Sequence, residues 1–307
     1  DSLHMKPVSP EHAARLMKQA TYASVTVAAV LIVAKSLAYW QTSSVSILAS
    51  LVDSLMDSGA SLLNLFAVRY ALEPADRQHR FGHGKAESIA ALAQSAFIIV
   101  SGLWLLVEAS QRLLNPEPIG AFDLGLVVMA LTIGATAVLL MFQGYVIRRT
   151  NSPAIRADAL HYRTDLLTNS GVVVALLLAQ FGWPGSDPLF AIAAALYILW
   201  SARSIMNGAF NELVDRELQD AQRAEIIAIA EGHPEVRGVH DLRTRSAGRI
   251  DFVEMHLELD GSMPLVKAHR ISDEVEAAVI AAMPGADVVI HQDPAGIVEV
   301  QQDEQLQ

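Results

Sequence analysis

Two pairs of ionisable residues lie inside otherwise apolar stretches. Asp53 and Asp57 are four apart within residues 51–58, and His161 and Asp165 are four apart within residues 159–165. That spacing puts both members of a pair on one helix face, their β-carbons about 5–6 Å apart. Two such faces brought together offer three carboxylates and one imidazole, a nitrogen-and-oxygen donor set suited to a tetrahedral divalent cation such as zinc. The same residues could instead form an internal hydrogen-bond network between helices. Without a cation, however, three carboxylates repel one another and most must be protonated. A metal removes that conflict.

Two further clusters carry metal-ligand chemistry. Asp76, His79 and His83 are spaced three and four within residues 76–85. A turn-like loop would bring all three to one ion, although two histidines in a short polar link also arise by chance. In the last third, His240, His256, His291 and Asp293 fall on segments that read as strands, with Gln292 beside them and His269 on a helix between. Neighbouring strands lie about 4.8 Å apart, so these groups can meet at one end of a sheet. Strand histidines are also commonly plain surface residues.

Absent motifs narrow the chemistry. There is no His-Glu-x-x-His, the main signature of a metalloprotease on a helix. Gly82-His83-Gly84-Lys85 lacks the length and the hydroxyl of a nucleotide-binding P-loop, which argues against a pump driven by its own ATP hydrolysis. No general base with a substrate pocket is evident, so an enzyme is not expected, nor is an organic cofactor. The absence of Cys excludes disulfides, iron–sulfur clusters and thiolate zinc sites.

The elements that must position these groups are written in the composition. The chain has 307 residues, 52% of them hydrophobic, yet a net charge of -11. Residues 1–208 carry 14 basic and 13 acidic side chains, whereas residues 209–307 carry 8 and 20. An apolar, nearly neutral body is therefore followed by an acidic domain, and a nucleic-acid partner, which needs a basic face, is disfavoured. Six segments have the roughly 20-residue length of a membrane span: 16–38, 45–70, 87–114, 122–147, 154–181 and 187–208. The first is too long for a signal peptide and lacks a small-residue cleavage site. A soluble helical bundle would show polar outer faces, but 122–147 has no charge between Asp123 and Arg148. Lys35 and Glu108 lie toward span ends and are expected to snorkel to the interface.

Basic residues fall before the first span and in the second and fourth links, but not in the first, third and fifth. The positive-inside rule then puts both termini in the cytoplasm. Beyond residue 211 the pattern becomes α+β: a helix over 220–231, strands over 236–245 and 250–260 joined by a turn at 246–249, a helix over 265–283 and a strand over 286–291. Val253, Met255, Leu257 and Leu259 alternate with Phe252, Glu254, His256 and Glu258, so one face should be buried. The expected organisation is a cytoplasmic segment 1–15, a six-helix transmembrane domain 16–208, a cytoplasmic αββαβ domain 209–296 and a disordered tail 297–307.

With these residues in hand, the chain resembles the cation diffusion facilitators. The resemblance covers residues 15–295 and rests on the Asp53/Asp57 and His161/Asp165 pairs, on residues 80–87, and on His240-Asp241-Leu242-Arg243 and His291-Gln292-Asp293-Pro294. It implies a homodimer in a bacterial inner membrane that exports a divalent cation, zinc foremost and also cadmium or ferrous iron, in exchange for protons. Asp53, Asp57, His161 and Asp165 would be the transport site, and Asp76, His79 and His83 a link site. His240, His256, His291 and Asp293 would hold a cytoplasmic binuclear site, with His269 and Gln292 near it. Lys85 and Asp215 would form a salt bridge between protomers, and the last domain would be a metallochaperone-like dimerisation module. Zinc would then be both substrate and structural ion. The alternative is a membrane metal sensor whose cytoplasmic domain signals occupancy to a partner. A sensor, however, has no need of ligands midway through a span.

Overall fold

The computed structural model describes residues 10–42, 45–114, 123–180 and 186–296. They divide into two compact units, Asp1–Phe210 and Asn211–Gln307. The expected tail at 297–307 and the first nine residues lie outside the described residues.

The first unit is built from α1 (Pro10–Thr42), α2 (Val45–Ala71), α3 (Ala86–Leu114), α4 (Asp123–Thr150), α5 (Pro153–Gln180) and α6 (Ser186–Leu213). Each expected span centres on one of them. By length and composition, α1, α3, α4 and α6 can each cross a membrane. The two remaining helices, α2 and α5, carry the candidate ligand pairs. In α5 the run Arg156, Asp158, His161, Arg163 and Asp165 dilutes the hydropathy. Ser152 sets where α5 begins: its Oγ accepts the Ile155 N–H at 3.3 Å, and Pro153 fills the first helical position. The same hydroxyl donates to Glu87 in the first turn of α3.

Leu16, Met17 and Ala20 of α1 pack with Val68, Val146, Ala154 and Ile155 into one core cluster. Ala91, Ala157 and Ala209 meet in another, where small side chains let helix backbones approach closely. The outer surface is the inverse of a soluble bundle. Val100, Trp104, Met141 and Trp200 are between 67% and 74% exposed, a surface suited to lipid rather than water.

The second unit runs α7 (Asp220–Glu231), β1 (Gly238–Ala247), β2 (Ile250–Leu259), α8 (Leu265–Ala282) and β3 (Asp287–Pro294), the expected αββαβ order. β1 and β2 are antiparallel, whereas β3 pairs parallel to β2, with α8 as the crossover. The hairpin turn is tighter than the sequence suggested. Pairing continues to Ala247 and Ile250, leaving Gly248 and Arg249 as the loop, with Gly248 at a φ of 66° that suits glycine. Ile226, Val253, Met255, Leu257, Ile271, Val275 and Val279 form the core between helices and sheet. Phe252 departs from simple alternation: it is buried although its neighbours on that face are polar. Arg245, directly opposite in the ladder, lays its guanidinium 4.5 Å from the ring centroid and covers it by cation–π contact.

Candidate metal centres

In the first unit, Asp57 of α2 and His161 and Asp165 of α5 come together. His161 Nε2 is 3.0 Å from Asp57 Oδ1 and 3.9 Å from Asp165 Oδ2, and one ligand atom from each of the three lies within 4.8 Å of the others. Asp53 is on α2 one turn before Asp57; its side chain lies outside the described residues. His161 is buried, and its Nε2 faces both carboxylates. Two carboxylates and an imidazole that converge in this way fit ligands around a common ion.

Two cavities reach this group, one of about 220 Å³ against α3 and one of about 120 Å³ bounded by α1, α2, α4 and α5. Lys35 lines the second. It does not snorkel: it is 8% exposed, and its Nζ donates to Ser54 Oγ at 2.6 Å. The expectation failed because α1 continues to Thr42, which leaves position 35 short of the helix end and beside a polar cavity.

Asp158 was passed over in the sequence, although it lies three residues before His161 and seven before Asp165 and so shares their face. Its Oδ2 accepts from Ser24 Oγ at 2.6 Å and Gln143 Nε2 at 2.7 Å, and its Oδ1 from Gln94 Nε2 at 3.4 Å. Tyr162 extends the network by donating to the Ser24 carbonyl at 3.1 Å and pairing with Ser61 at 2.9 Å. Five helices are thereby tied together by buried side chains. Asp158→Ala removes the common acceptor and leaves buried donors unpaired. The expected cost is about 1–3 kcal/mol, read as a lower denaturation midpoint in detergent; an unchanged midpoint contradicts this role.

The link between α2 and α3 brings Asp76, His79 and His83 together. Asp76 Oδ1 accepts the backbone N–H groups of His79 at 2.6 Å and Gln78 at 2.7 Å, an Asx-turn. Those two hydrogen bonds hold its carboxyl below the usual value of 3.8 and keep it an anion. It faces His79 Nδ1 at 3.4 Å and His83 Nε2 at 3.5 Å. His83 is buried, its ring 4.5 Å from that of Tyr70. Gly82 at a φ of 80° lets the chain turn between the two histidines. Alanine there costs about 1–2 kcal/mol in this left-handed conformation. Gly82→Ala should therefore weaken metal binding at the link several-fold in a titration while leaving the sheet cluster unaffected; equal weakening at both contradicts it.

In the second unit, strand register aligns the histidines. His240 is opposite His256, and His256 is opposite His291, with ring centroids 5.2 and 4.7 Å apart. Asp293 ties the row together: its Oδ2 lies 2.8 Å from His256 Nδ1 and 3.2 Å from His240 Nε2, and its Oδ1 lies 3.1 Å from His291 Nε2. The ligand-capable groups are His240, Asp241 and His256, and His256, His291 and Asp293, sharing His256. Asp241 was not among the sequence candidates, because strict alternation turns it away from His240. A β-bulge between His240 and Arg243, with Asp241 at a φ of 48°, brings it back.

Other candidates lie apart. His269 is largely exposed on α8, 3.7 Å from Asp273 one turn on. Gln292 faces α8 and donates to Ser272 Oγ at 2.9 Å. Lys85 sits just before α3. Asp215 follows α6, with its Oδ1 3.6 Å from Arg245 Nη1.

A family model described as the cation efflux transmembrane domain matches residues 21–214, and one described as the cation efflux protein cytoplasmic domain matches residues 218–295. The chain is 49% identical over 288 residues to the cation-efflux pump FieF of Klebsiella pneumoniae, covering 94% of this chain and 96% of that one. It is 49% identical over 284 residues to the protein of the same name from Escherichia fergusonii, covering 92% and 95%. Among solved structures, the metal-bound C-terminal domain of the CzcD transporter from Thermotoga maritima is 30% identical, covers 27% of this chain and 100% of that chain, and has a TM-score of 0.25.

Proposed function

This chain belongs to the cation efflux family, membrane transporters rather than enzymes, and on that premise we propose that it exports zinc from the cytoplasm in exchange for protons. Asp53, Asp57, His161 and Asp165 hold the ion, and alternating access exposes them first to one side of the membrane and then to the other. The observation that carries this reading is the convergence of Asp57 of α2 with His161 and Asp165 of α5, whose ligand atoms lie within 4.8 Å of one another.

Carboxylates and an imidazole must be deprotonated to bind metal, so a site that releases its cation has protons to regain. The exchange belongs to the coupled group rather than to one residue. One nitrogen and three oxygen donors without a thiolate suit zinc and cadmium and admit ferrous iron, whereas Mn²⁺ favours more oxygen ligands. The protein sits in a bacterial inner membrane with both termini cytoplasmic. The His240, His256, His291 and Asp293 group holds zinc as a structural ion that supports a homodimer, Asp76, His79 and His83 form a third site, and Lys85 pairs with Asp215 of the partner protomer.

The test is flux into vesicles that contain no other protein. Zinc uptake should follow an imposed proton gradient, stop when a protonophore collapses it, and outcompete Mn²⁺. Flux indifferent to the gradient overturns proton exchange. Absence of any metal flux from correctly folded protein overturns transport and favours the sensor.

A further inference from the structure

We propose that Lys35 is the fixed counter-cation of the transport site: it offsets one carboxylate, weakens the hold on a bound divalent ion and so speeds its release. This rests on reading Asp53, Asp57, His161 and Asp165 as the transport site.

An ammonium at membrane depth persists only where anions or polar partners compensate it, and such a residue marks function by default. Lys35 is 8% exposed, and a polar partner comes to it from α2, one of the two ligand helices. Nζ donates to Ser54 Oγ at 2.6 Å, and Ser54 stands between Asp53 and Asp57 in the sequence of α2. Lys35, Ser54, Asp57 and Asp165 line one cavity of about 120 Å³, so the ammonium faces the same space as two of the carboxylates. The nearby Asp158 is engaged by Ser24, Gln94 and Gln143.

The charges decide what the lysine does. Three carboxylates and a divalent ion leave one negative charge, and Lys35 cancels it. The loaded site is then neutral among these groups, which favours a doubly charged ion over a singly charged one. Without Lys35 the ion faces an uncancelled excess of negative charge and binds more tightly. The stem carries three rotatable donors, so the ammonium can turn toward the carboxylates once the ion leaves. Thr136 Oγ1, buried without a hydrogen-bond partner, lines the same cavity.

The experiment uses the full chain carrying Asp76→Ala and Asp293→Ala, so that zinc binding reports on the transport site. Lys35→Met keeps the length of the side chain and removes its charge. The expected result is at least a tenfold tighter zinc affinity, a lower KM and a lower maximal flux; Lys35→Arg should restore all three. Lys35→Gln is the second variant if methionine fails to fold. A folded neutral variant whose zinc affinity is unchanged or weaker overturns the proposal, as does Lys35→Arg behaving like Lys35→Met. Asp57→Ala in the same background separates the two ideas. If it still transports, the transport-site reading fails; if it is inactive while Lys35→Met matches the parent, only the role of Lys35 fails.

Discussion

Alanine at Asp57 or at Asp165 is expected to reduce zinc flux in proteoliposomes to that of protein-free vesicles, a loss on the order of a hundredfold or more. Substituting a residue that only orients a ligand costs about 10–100-fold in metal affinity or activity, and these carboxylates would be ligands themselves. The two act from different helices, Asp57 from α2 and Asp165 from α5. On the alternating-access proposal, either substitution breaks the joint between the two helices that would hold the ion, which uniform weakening of affinity would not do. Misfolding is not the expected cause. Removing one of several apposed carboxylates relieves repulsion in the empty site, so the metal-free protein should keep its denaturation midpoint and still bind zinc through its sheet and link clusters. Undiminished, proton-coupled flux in both variants would sink the assignment.

The second large effect is expected from Asp293→Ala. One carboxylate lies within 2.8–3.2 Å of three imidazoles, and it is almost fully buried. Its loss would remove a proposed ligand and also the anion that holds the three rings in one orientation. Zinc affinity at the sheet should fall about a hundredfold or more, and titration of the full chain should lose the zinc bound there. The zinc-dependent part of dimer stability should disappear with it, read as a monomer–dimer equilibrium no longer shifted by zinc. An unchanged zinc stoichiometry contradicts the assignment.

The clustering of these side chains was legible in the sequence to different depths, for physical reasons. The Asp57, His161 and Asp165 group was accessible because helical spacing fixes which side chains share a face, and an ionisable residue in an apolar run stands out. The αββαβ order was accessible from alternation and from the periodicity of the two helices. Lys35 was misjudged because its fate depends on where α1 ends, and segment ends are poorly marked by hydropathy. Asp158 carried a readable signal, the three-and-seven spacing to His161 and Asp165, but its partners Ser24, Gln94 and Gln143 lie on three other helices. No local pattern joins them. Likewise, His240, His256 and His291 could be placed on neighbouring strands, whereas their alignment in one row depends on a register fixed by the hairpin turn and by a parallel crossover. Asp241 depends on a bulge that leaves no mark on alternation.

That bulge has a consequence for how the domain can change over generations. β1 carries one residue more than the ladder needs between His240 and Arg243. Loss of the single codon for Asp241 would bring Leu242 opposite Met255, both already in the core, and would leave His240 opposite His256. Neither the hydrophobic interior nor the histidine row would shift. A lineage can therefore drop or regain one acidic side chain beside the histidine row through a three-base deletion or insertion, a kind of mutation that elsewhere in a strand reverses the facing of every residue beyond it.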